Sequence, residues 1–402
     1  NLLTSVMDDM RPENKYLHLM DEQEAITKAQ ALLNRQGDAN VSPLAVYRHA
    51  AKADSVQQRR PNVVLIMMES MSAKFMKHFG QSETLTPFLD SLYTRSISFR
   101  NFYSAGIHTN HGLYATLYSF PAMMKRNLMK GSVIPRYSGL PTVLKENGYY
   151  NLFFMTHEGQ YDNMNAFFRT NGYDEVFSQE DYPADKVVNS FGVQDDFLYD
   201  YAIPVLNQRA ATGQPFFATL LSISNHPPYV IPPFFHPKTS EPEMQIVEYA
   251  DWALRQFFEE ARKQPWFDNT IFVLEGDHGK LVGDAECELP ESYNHIPLMI
   301  YSSRIHPEEK NTFGGQVDIQ PTILGLLNID YLQNNFGVDL LKEERPCMFY
   351  TADNMIVGRN DTLLYLYNYE TQQEFTYHID NGKLKAVPMD DRFLPLKEYS
   401  FS

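Results

Sequence analysis

The chain has 402 residues, and its 43% hydrophobic content provides ample material for a large core. Its 34 Lys and Arg against 50 Asp and Glu give a net charge of −16, which argues against a nucleic-acid partner bound through a basic face. An anionic substrate stays compatible with this charge, because a metal ion can supply positive charge locally.

The two cysteines, Cys287 and Cys347, are too few for a disulfide scaffold, and the sequence leaves open whether they pair. The longest apolar runs, such as residues 63–68, are too short to span a bilayer, and no signal peptide is visible. A start at Asn1 without a methionine suggests an excised fragment, so the lack of a membrane segment here says little about the full-length protein.

Residues 1–60 are predicted to form a helical connector arm. The stretch "NKYLHLMDEQEAITKAQALLNR" is rich in helix formers, and Ser42 followed by Pro43 is typical of the start of a second helix over 42–60. Neither stretch holds a catalytic grouping of residues.

Residues 61–345 alternate between buried-strand and helical patterns, which predicts a catalytic α/β domain with a mainly parallel sheet and helices on both faces. The predicted strands cover 62–68, 97–103, 149–156, 215–224, 270–277 and 296–302. The predicted helices cover 86–96, 140–148 with Gly148 as C-cap, 195–211 interrupted by Pro204, 244–264, and 318–329 beginning at Asp318.

After about residue 345 the helical patterns stop. Strand-like runs alternate with the turn signals "GRND" and "DNGK", so residues 346–402 are predicted to form a small antiparallel β subdomain.

Polar residues follow five of the predicted strands. The carboxyl ends of parallel strands meet at one edge of a sheet, where ligands bind. The residues expected at this edge are Glu69, Thr109, His157, His226 and the pair Asp277-His278, while His295 precedes a strand.

Two carboxylates and an imidazole, from Glu69, Asp277 and His278, suit Zn²⁺ or Mn²⁺ and suit Mg²⁺ less well. The hydroxyl of Thr109 would complete four ligands, and contact with a metal would activate it as a nucleophile. Thr109 also begins a predicted helix, whose free N–H groups favour a bound phosphate.

Each of these residues has a simpler reading when taken alone. Asp277-His278 fits a salt-bridged loop, Glu69 fits a first-turn acid of a helix, and Thr109 fits an N-cap. His226 fits a rigid exposed turn before Pro227, and the histidines at 108, 111 and 157 are equally compatible with merely lining a cleft. The functional interpretation therefore rests on their joint occurrence at strand ends.

A family resemblance follows from the ordered motifs "NVVLIMMES", "TPFLDSL", "FRNFYSAGIHTNHGLYATLYSFP", "GYDEVF", "SISNHPPY", "EGDHG" and "GVDLL". Over residues 60–345 the chain resembles the extracellular domain of lipoteichoic acid synthases and related phosphoglycerol transferases. These belong to the sulfatase-like branch of the alkaline phosphatase superfamily, and the resemblance implies an alkaline phosphatase-like fold.

The resemblance also implies residue roles. It makes Thr109 the nucleophile and Glu69, Asp277 and His278 the ligands of one divalent metal, Mn²⁺ with Mg²⁺ or Zn²⁺ as alternatives. It places His226 against the phosphoglycerol group. The further residues expected to line the substrate site are His157, His111, Asn110, Asp162, Arg169 and His295.

The sequence departs from the family before "GYD". A Trp and an Arg that grip the substrate in lipoteichoic acid synthases align with Asp162 and Met164, and Arg169 is the candidate that would restore a positive charge. "HTNHG" lacks the Cys or Ser context of true sulfatases, so sulfate-ester hydrolysis is not expected. Phosphoethanolamine transferases share the Thr nucleophile but usually carry several disulfides.

These observations lead to one expected activity. A phosphoglycerol group would pass from a glycerophospholipid such as phosphatidylglycerol to Thr109, and then to a hydroxyl of a glycan or growing polymer. The alternatives are a phosphoethanolamine transferase or phosphodiesterase at the same site, or a non-catalytic lipid sensor. The resemblance implies membrane helices upstream and a catalytic domain outside the cytoplasmic membrane.

Overall fold

A computed structural model describes residues 18–33, 47–50, 60–131 and 133–402. Its centre is an eight-stranded sheet in the order β5-β4-β6-β2-β7-β8-β3-β9. The strands are β2 (Asn62–Met68), β3 (Ile97–Tyr103), β4 (Tyr150–Met155), β5 (Glu175–Phe177), β6 (Phe216–Leu221), β7 (Thr270–Gly276), β8 (Leu298–Tyr301) and β9 (Glu308–Gly315).

Only β8 runs against the others in this sheet. It pairs antiparallel with β7 and with β3, whereas all other neighbouring pairs are parallel. The carboxyl ends of β2, β3, β4, β6 and β7 therefore lie at one edge, together with the beginning of β8. The prediction of a mainly parallel sheet is confirmed.

Helices cover both faces of the sheet, as predicted. The alternation along β2 shows why: Val63, Leu65 and Met67 belong to one apolar core, and Val64 and Ile66 belong to the other. The first core holds α3 (Thr109–Tyr118), α4 (Leu140–Glu146), α5 (Met164–Thr170) and α8 (Ile319–Leu326). The second holds α2 (Pro87–Tyr93), α6 (Asp195–Ala210) and α7 (Pro242–Ala261).

The predicted interruption at Pro204 is wrong, because α6 runs through it. A proline removes one N–H donor and crowds the preceding turn, at a cost of about 3 kcal/mol. Leu198, Ala202 and Leu206 are buried on both sides of the proline, and this packing holds the helix together. The C-cap of α4 is Asn147 and not Gly148 as predicted; Gly148, with φ of 84°, is the next residue and turns the chain away from the helix.

The N-terminal prediction is partly confirmed. The first helix appears as α1 (Glu22–Leu33), which begins after Asp21, whose carboxylate accepts the N–H groups of Gln23 and Glu24. The second predicted helix is wrong at Tyr47–Ala50, which form strand β1. This strand pairs antiparallel with β10 (Tyr331–Asn334), and that pairing overrides local helix propensity. Ser42 and Pro43 lie outside the described residues.

The C-terminal region contains the predicted antiparallel sheet, in the order β11-β12-β13-β14-β15. Its strands are β11 (Met348–Thr351), β12 (Met355–Arg359), β13 (Leu363–Asn368), β14 (Gln373–Asp380) and β15 (Lys383–Ala386). The expectation that helices stop at residue 345 is wrong, since α9 (Leu394–Phe401) follows the sheet. The helix is held by tertiary packing, with Leu396 against Gly358 and Phe401 against Tyr367.

Cys287 is half-buried and Cys347 is buried, and neither forms a disulfide. Within the described part of the chain, no helix has the length and apolar character needed to cross a membrane.

Candidate metal centre and active site

Glu69, Asp277 and His278 come together because β2 and β7 are neighbours. Their last paired residues are Met68 and Gly276, so the next residue of each strand is a carboxylate. The Nε2 atom of His278 lies 3.8 Å from Oε1 of Glu69 and 3.6 Å from Oδ2 of Asp277. One ligand atom from each residue lies within 4.8 Å of the others, and among the described residues no other such cluster of acidic, His or Cys side chains occurs.

The backbone shapes this cluster. Ser70 has a φ of 50°, which turns its N–H toward Asp277, and it donates to Oδ1 at 2.8 Å. The N–H of His278 donates to the same oxygen at 2.7 Å. The other oxygen of Asp277, Oδ2, is buried and has no hydrogen-bond partner. A buried carboxylate oxygen without a donor is a position that a cation would satisfy.

His278 presents a free ring nitrogen to the carboxylates. Its Nδ1 lies 2.7 Å from the carbonyl oxygen of Gly279, which requires the proton to be on Nδ1. Nε2 therefore carries the lone pair that a metal ligand needs.

Without a cation, repulsion between the carboxylates of Glu69 and Asp277 destabilises the cluster. Glu69 and Asp277 are at most 1% exposed. Burial, together with the neighbouring Asp277, raises the pKa of Glu69 well above its ordinary value. A cation about 2.0–2.2 Å from each ligand atom keeps those atoms about 3–4 Å apart. The two separations from Nε2 of His278, 3.8 and 3.6 Å, lie in that range. The residues present therefore fit a divalent metal.

Thr109 lies beside these ligands. Its hydroxyl donates to Oε2 of Glu69 at 3.4 Å, and the residue is half-buried. The structure excludes the N-cap reading of Thr109, since it is the first helical residue of α3 and His108 occupies the cap position. The side chain of His108 makes no capping bond, and the N–H of His111 already donates to the carbonyl of His108 at 2.9 Å. The N–H groups of Thr109 and Asn110 stay available to an anion.

Gly112 lets α3 approach the metal loop. A Cβ at this position would lie 2.2 Å from the carbonyl oxygen of Asp277. That distance is too short for any residue with a side chain. The helix that carries Thr109 therefore packs directly on the backbone that carries Asp277.

His157 and His226 lie in a connected row of rings. The ring centroid of His157 is 4.7 Å from that of Tyr161, which is 6.3 Å from that of Phe191, which is 4.0 Å from that of His226. We call these four side chains the aromatic row. Burial lowers the pKa of both histidines. Asn225, the residue before His226, donates to the carbonyl oxygens of Glu69 and Ser70, so the His226 end of the row lies beside the metal cluster.

Two predicted residues accompany Thr109 on α3. His111 is buried, its ring centroid is 5.2 Å from that of His108, and burial lowers its pKa to about 4. Asn110 is half-buried in the first turn. His108 itself pairs with Asp353, whose Oδ1 lies 2.6 Å from its Nε2, so the C-terminal sheet reaches the edge of the site.

Asp162, Arg169 and His295 are not brought into the cluster. Asp162 forms an ion pair with Lys130 at 2.8 Å. Arg169 donates to Oδ1 of Asn165 and to the carbonyl of Val176 on edge strand β5, three strands or about 14 Å across the sheet from β2. His295 stacks on Tyr103 at 5.1 Å and donates to the carbonyl of Arg100 at 2.8 Å, which are packing contacts.

Sequence reasoning missed three residues that support the cluster. The side-chain amide of Asn225 donates to the carbonyl oxygens of Glu69 and Ser70, both at 3.1 Å. Lys280 donates to Oδ1 of Asn225 at 2.7 Å, and the hydroxyl of Ser222 accepts the N–H of Glu69 at 3.0 Å. Burial lowers the pKa of Lys280 to about 8. The sequence did offer a signal for two of these residues. Asn225 directly precedes His226, and Lys280 directly follows Asp277-His278-Gly279.

The sulfatase family model matches residues 61–329, which contain all the candidate ligands and Thr109. The chain belongs to the sulfatase family. This agrees with the resemblance drawn from the ordered motifs.

Among individual proteins, this sulfatase-family chain is similar to lipoteichoic acid synthases of Bacillus subtilis. It is 25% identical to lipoteichoic acid synthase 1 over 354 residues, covering 81% of this chain and 54% of that protein. It is 24% identical to lipoteichoic acid synthase 2 over 315 residues, covering 70% of this chain and 47% of that protein. The chain thus spans about half the length of these curated relatives.

Two crystal structures share the fold of this sulfatase-family chain. A protein in the alkaline phosphatase superfamily from Vibrio parahaemolyticus superposes with a TM-score of 0.84 at 26% identity, covering 95% of this chain and 94% of that one. A lipoteichoic acid synthase from Listeria monocytogenes superposes with a TM-score of 0.75 at 21% identity, covering 86% and 90%. The predicted alkaline phosphatase-like fold is confirmed.

Proposed function

We propose that this chain is the catalytic part of a metal-dependent phosphoglycerol transferase that uses Thr109 as its nucleophile. One observation carries the proposal: the hydroxyl of Thr109 lies at the N-terminus of α3, 3.4 Å from a carboxylate of a buried three-ligand cluster. The similarity to lipoteichoic acid synthases supports the class of reaction. Residues 1–60 would connect the membrane to a catalytic domain of residues 61–345, with residues 346–402 as a C-terminal subdomain.

Glu69, Asp277 and His278 would hold the metal, with Mn²⁺ as the first candidate and Mg²⁺ or Zn²⁺ as alternatives. The bound metal would supply a lowered pKa for the Thr109 hydroxyl and positive charge for the phosphate oxygens.

In the first step, the hydroxyl of Thr109 loses its proton to solvent, Oγ1 forms a bond to phosphorus, and the bond from phosphorus to the diacylglycerol oxygen breaks. The first-turn N–H groups of α3 bind the phosphate oxygens as charge develops on them. His226 has Nδ1 donating to the carbonyl of Pro227 at 2.6 Å, so its Nε2 is the nitrogen left for the substrate. It would orient the head group or, when the ring is protonated at Nε2, pass that proton to the departing diacylglycerol oxygen.

In the second step, a hydroxyl of a glycan or growing polymer attacks phosphorus, and the bond to Oγ1 of Thr109 breaks. Nε2 of His226 would take the proton of the attacking hydroxyl. Water as the attacking group would make the same site a phosphodiesterase. We also propose that this catalytic domain lies outside the cytoplasmic membrane and is anchored to it by upstream segments.

Two alternatives are less well supported. Two unpaired cysteines do not match the several disulfides usual in phosphoethanolamine transferases. A lipid-sensing module would not need the assembled set of Glu69, Thr109, Asp277 and His278.

The test is incubation of the protein with Mn²⁺ and either labelled phosphatidylglycerol or labelled phosphatidylethanolamine, followed by mass spectrometry of the peptide containing Thr109. A phosphoglycerol adduct on Thr109 supports the proposal. A phosphoethanolamine adduct would assign the alternative head group. No adduct and no released diacylglycerol, in protein that binds Mn²⁺, would overturn the transferase assignment.

A further inference from the structure

Gln316 lies at the junction of the metal loop and the nucleophile loop. It is 0% exposed and lies in the turn Gln316–Asp318 between β9 and α8. Its side chain contacts neither the metal ligands' side chains nor Thr109, yet its amide bonds to the backbone of both segments that carry them.

The two ends of this amide hold different segments. Nε2 donates to the carbonyl oxygens of Asp277 at 2.7 Å and of Gly276 at 3.1 Å, which fixes the end of β7. Oε1 accepts the N–H of Ala105 at 2.9 Å, which fixes the chain between β3 and α3. All three hydrogen bonds are buried. Removing one partner of a buried hydrogen bond costs more free energy than removing one at the surface.

Helix α3 packs against the carbonyl oxygen of Asp277 and the side-chain amide of Gln316. A Cβ at Gly112 would lie 2.2 Å from the carbonyl oxygen of Asp277 and 3.0 Å from Nε2 of Gln316. The amide therefore fills the corner between the helix that begins at Thr109 and the backbone that carries Asp277.

The turn that carries Gln316 is itself held firmly. Asp318 accepts the N–H groups of Gly315 at 2.9 Å and Val338 at 2.8 Å, and it forms a buried ion pair with Arg345 at 2.6 Å. This anchoring means that a change in the Gln316 side chain is not offset by a shift of its backbone.

We propose that Gln316 is a positioning residue that sets the distance between the Thr109 hydroxyl and the metal ligands. The inference rests on the roles given above to Thr109 and the cluster. Gln316 acts through the backbone of Ala105 and Asp277 and touches no reacting atom. Outer partners of this kind change metal affinity or activity by about 10- to 100-fold when removed.

The test uses Gln316→Met, which keeps the side-chain length and removes all three hydrogen bonds. The matched control is Gln333→Met, because Gln333 is 4% exposed and also takes part in three bonds, with Asn335, Gly337 and Tyr331. Gln333 lies on β10, in the small sheet with β1, and its three bonds reach no residue of the metal cluster.

Mn²⁺ affinity is measured from the electron paramagnetic resonance signal of free Mn²⁺, and stability from urea unfolding of the metal-free proteins. We expect Gln316→Met to bind Mn²⁺ about tenfold more weakly and to lower kcat with little change in KM. We expect Gln333→Met to lose similar stability while keeping the Mn²⁺ affinity and kcat of the unchanged protein. Equal Mn²⁺ affinity and kcat in Gln316→Met and the unchanged protein, or equal losses in both variants, would overturn the inference.

If Gln316→Met does not fold, Gln316→Asn replaces it, because Asn keeps the amide but is one methylene short of its partners. Its Mn²⁺ affinity should also fall, and an unchanged affinity contradicts the inference. The Mn²⁺ measurement needs no lipid. A protein whose Mn²⁺ affinity depends on Gln316 but which transfers no phosphoglycerol would refute the proposed function and leave the positioning role intact.

Discussion

The hydroxyl of Thr109 lies 3.4 Å from Oε2 of Glu69, although 40 residues separate them in the chain. Glu69 directly follows β2, and Thr109 begins the helix after β3, three strands further along the sheet order. The contact exists because both segments leave the sheet at the same edge. It places the candidate nucleophile against a ligand of the candidate metal centre, and the predictions below test this arrangement.

Replacing Thr109 by Ala should lower phosphoglycerol transfer on the order of 10³-fold or more, because the nucleophile is removed. Mn²⁺ affinity should change far less, since the two carboxylates and His278 remain. Thr109→Ser keeps a hydroxyl at the same place and should retain measurable transfer. Release of labelled diacylglycerol measures all three proteins, and full activity in the Ala variant is incompatible with the mechanism.

Replacing Asp277 by Asn should remove the response of stability to metal. In the unchanged protein, Mn²⁺ at about 100 times its Kd should raise the unfolding free energy by about 2.7 kcal/mol. The buried Oδ2 of Asp277 has no hydrogen-bond partner and would become an amide in the variant, which loses one anionic ligand. Melting temperatures with Mn²⁺ and with EDTA measure the effect. An equal Mn²⁺-induced shift in both proteins would show that Asp277 is not a ligand.

Replacing Gly112 by Ala should destabilise the protein by about 1–3 kcal/mol and lower transfer, because the new Cβ pushes α3 off the carbonyl of Asp277. Gly213→Ala is the control, since nothing lies within 4 Å of a Cβ there. Its φ of 77° still imposes a backbone cost of about 1–2 kcal/mol. Urea unfolding and transfer should separate the two: both lose stability, and only the Gly112 variant loses activity.

His295 should make the protein sensitive to acid. Burial lowers its pKa to about 4, below the ordinary value of 6.5 that it regains on unfolding. The unfolded chain therefore takes up the proton first, so the contribution of His295 to stability is complete above pH 6.5 and is lost as pH falls toward 4.

His295→Gln keeps a donor for the carbonyl of Arg100 and cannot titrate. Its unfolding free energy should fall less than that of the unchanged protein between pH 6.5 and 4, measured by urea unfolding at each pH. The exposed His306→Gln serves as control and should follow the unchanged protein. Parallel curves for all three proteins would show that the ring of His295 is not held neutral.

The strand ends were the part of the site that sequence could predict. Continuous apolar runs mark buried parallel strands, and the residue after each run is then fixed at one edge, which was enough for Glu69, Thr109 and Asp277. Arg169 shows the limit of such reasoning, because the direction of a side chain on α5 depends on which strand the helix packs beside. Asn225 and Gln316 act through backbone atoms far away in sequence, and no local pattern records such contacts.

The same limit explains the wrong elements. Tyr47–Ala50 form a strand only because β10 offers its edge, and α9 forms only because the C-terminal sheet offers an apolar face. Pro204 is a strong local signal that burial of α6 outweighs. Predictions from local sequence are correct where apolar residues recur with a clear helix or strand period. They fail where a partner distant in sequence supplies the stabilising contacts.

The reversed direction of β8 has a consequence for how this sulfatase-family fold can diversify. A parallel successor to β7 would require the chain to cross a face of the sheet, whereas an antiparallel one lets it turn back at the same edge. Residues 277–297 therefore connect β7 to β8 without a crossover helix, and only Ile296 at their end is buried in the first core. Exchanges or insertions in this connection can change the surroundings of the candidate site, which begins at Asp277 and His278, while the packing of the two helical layers stays as it is.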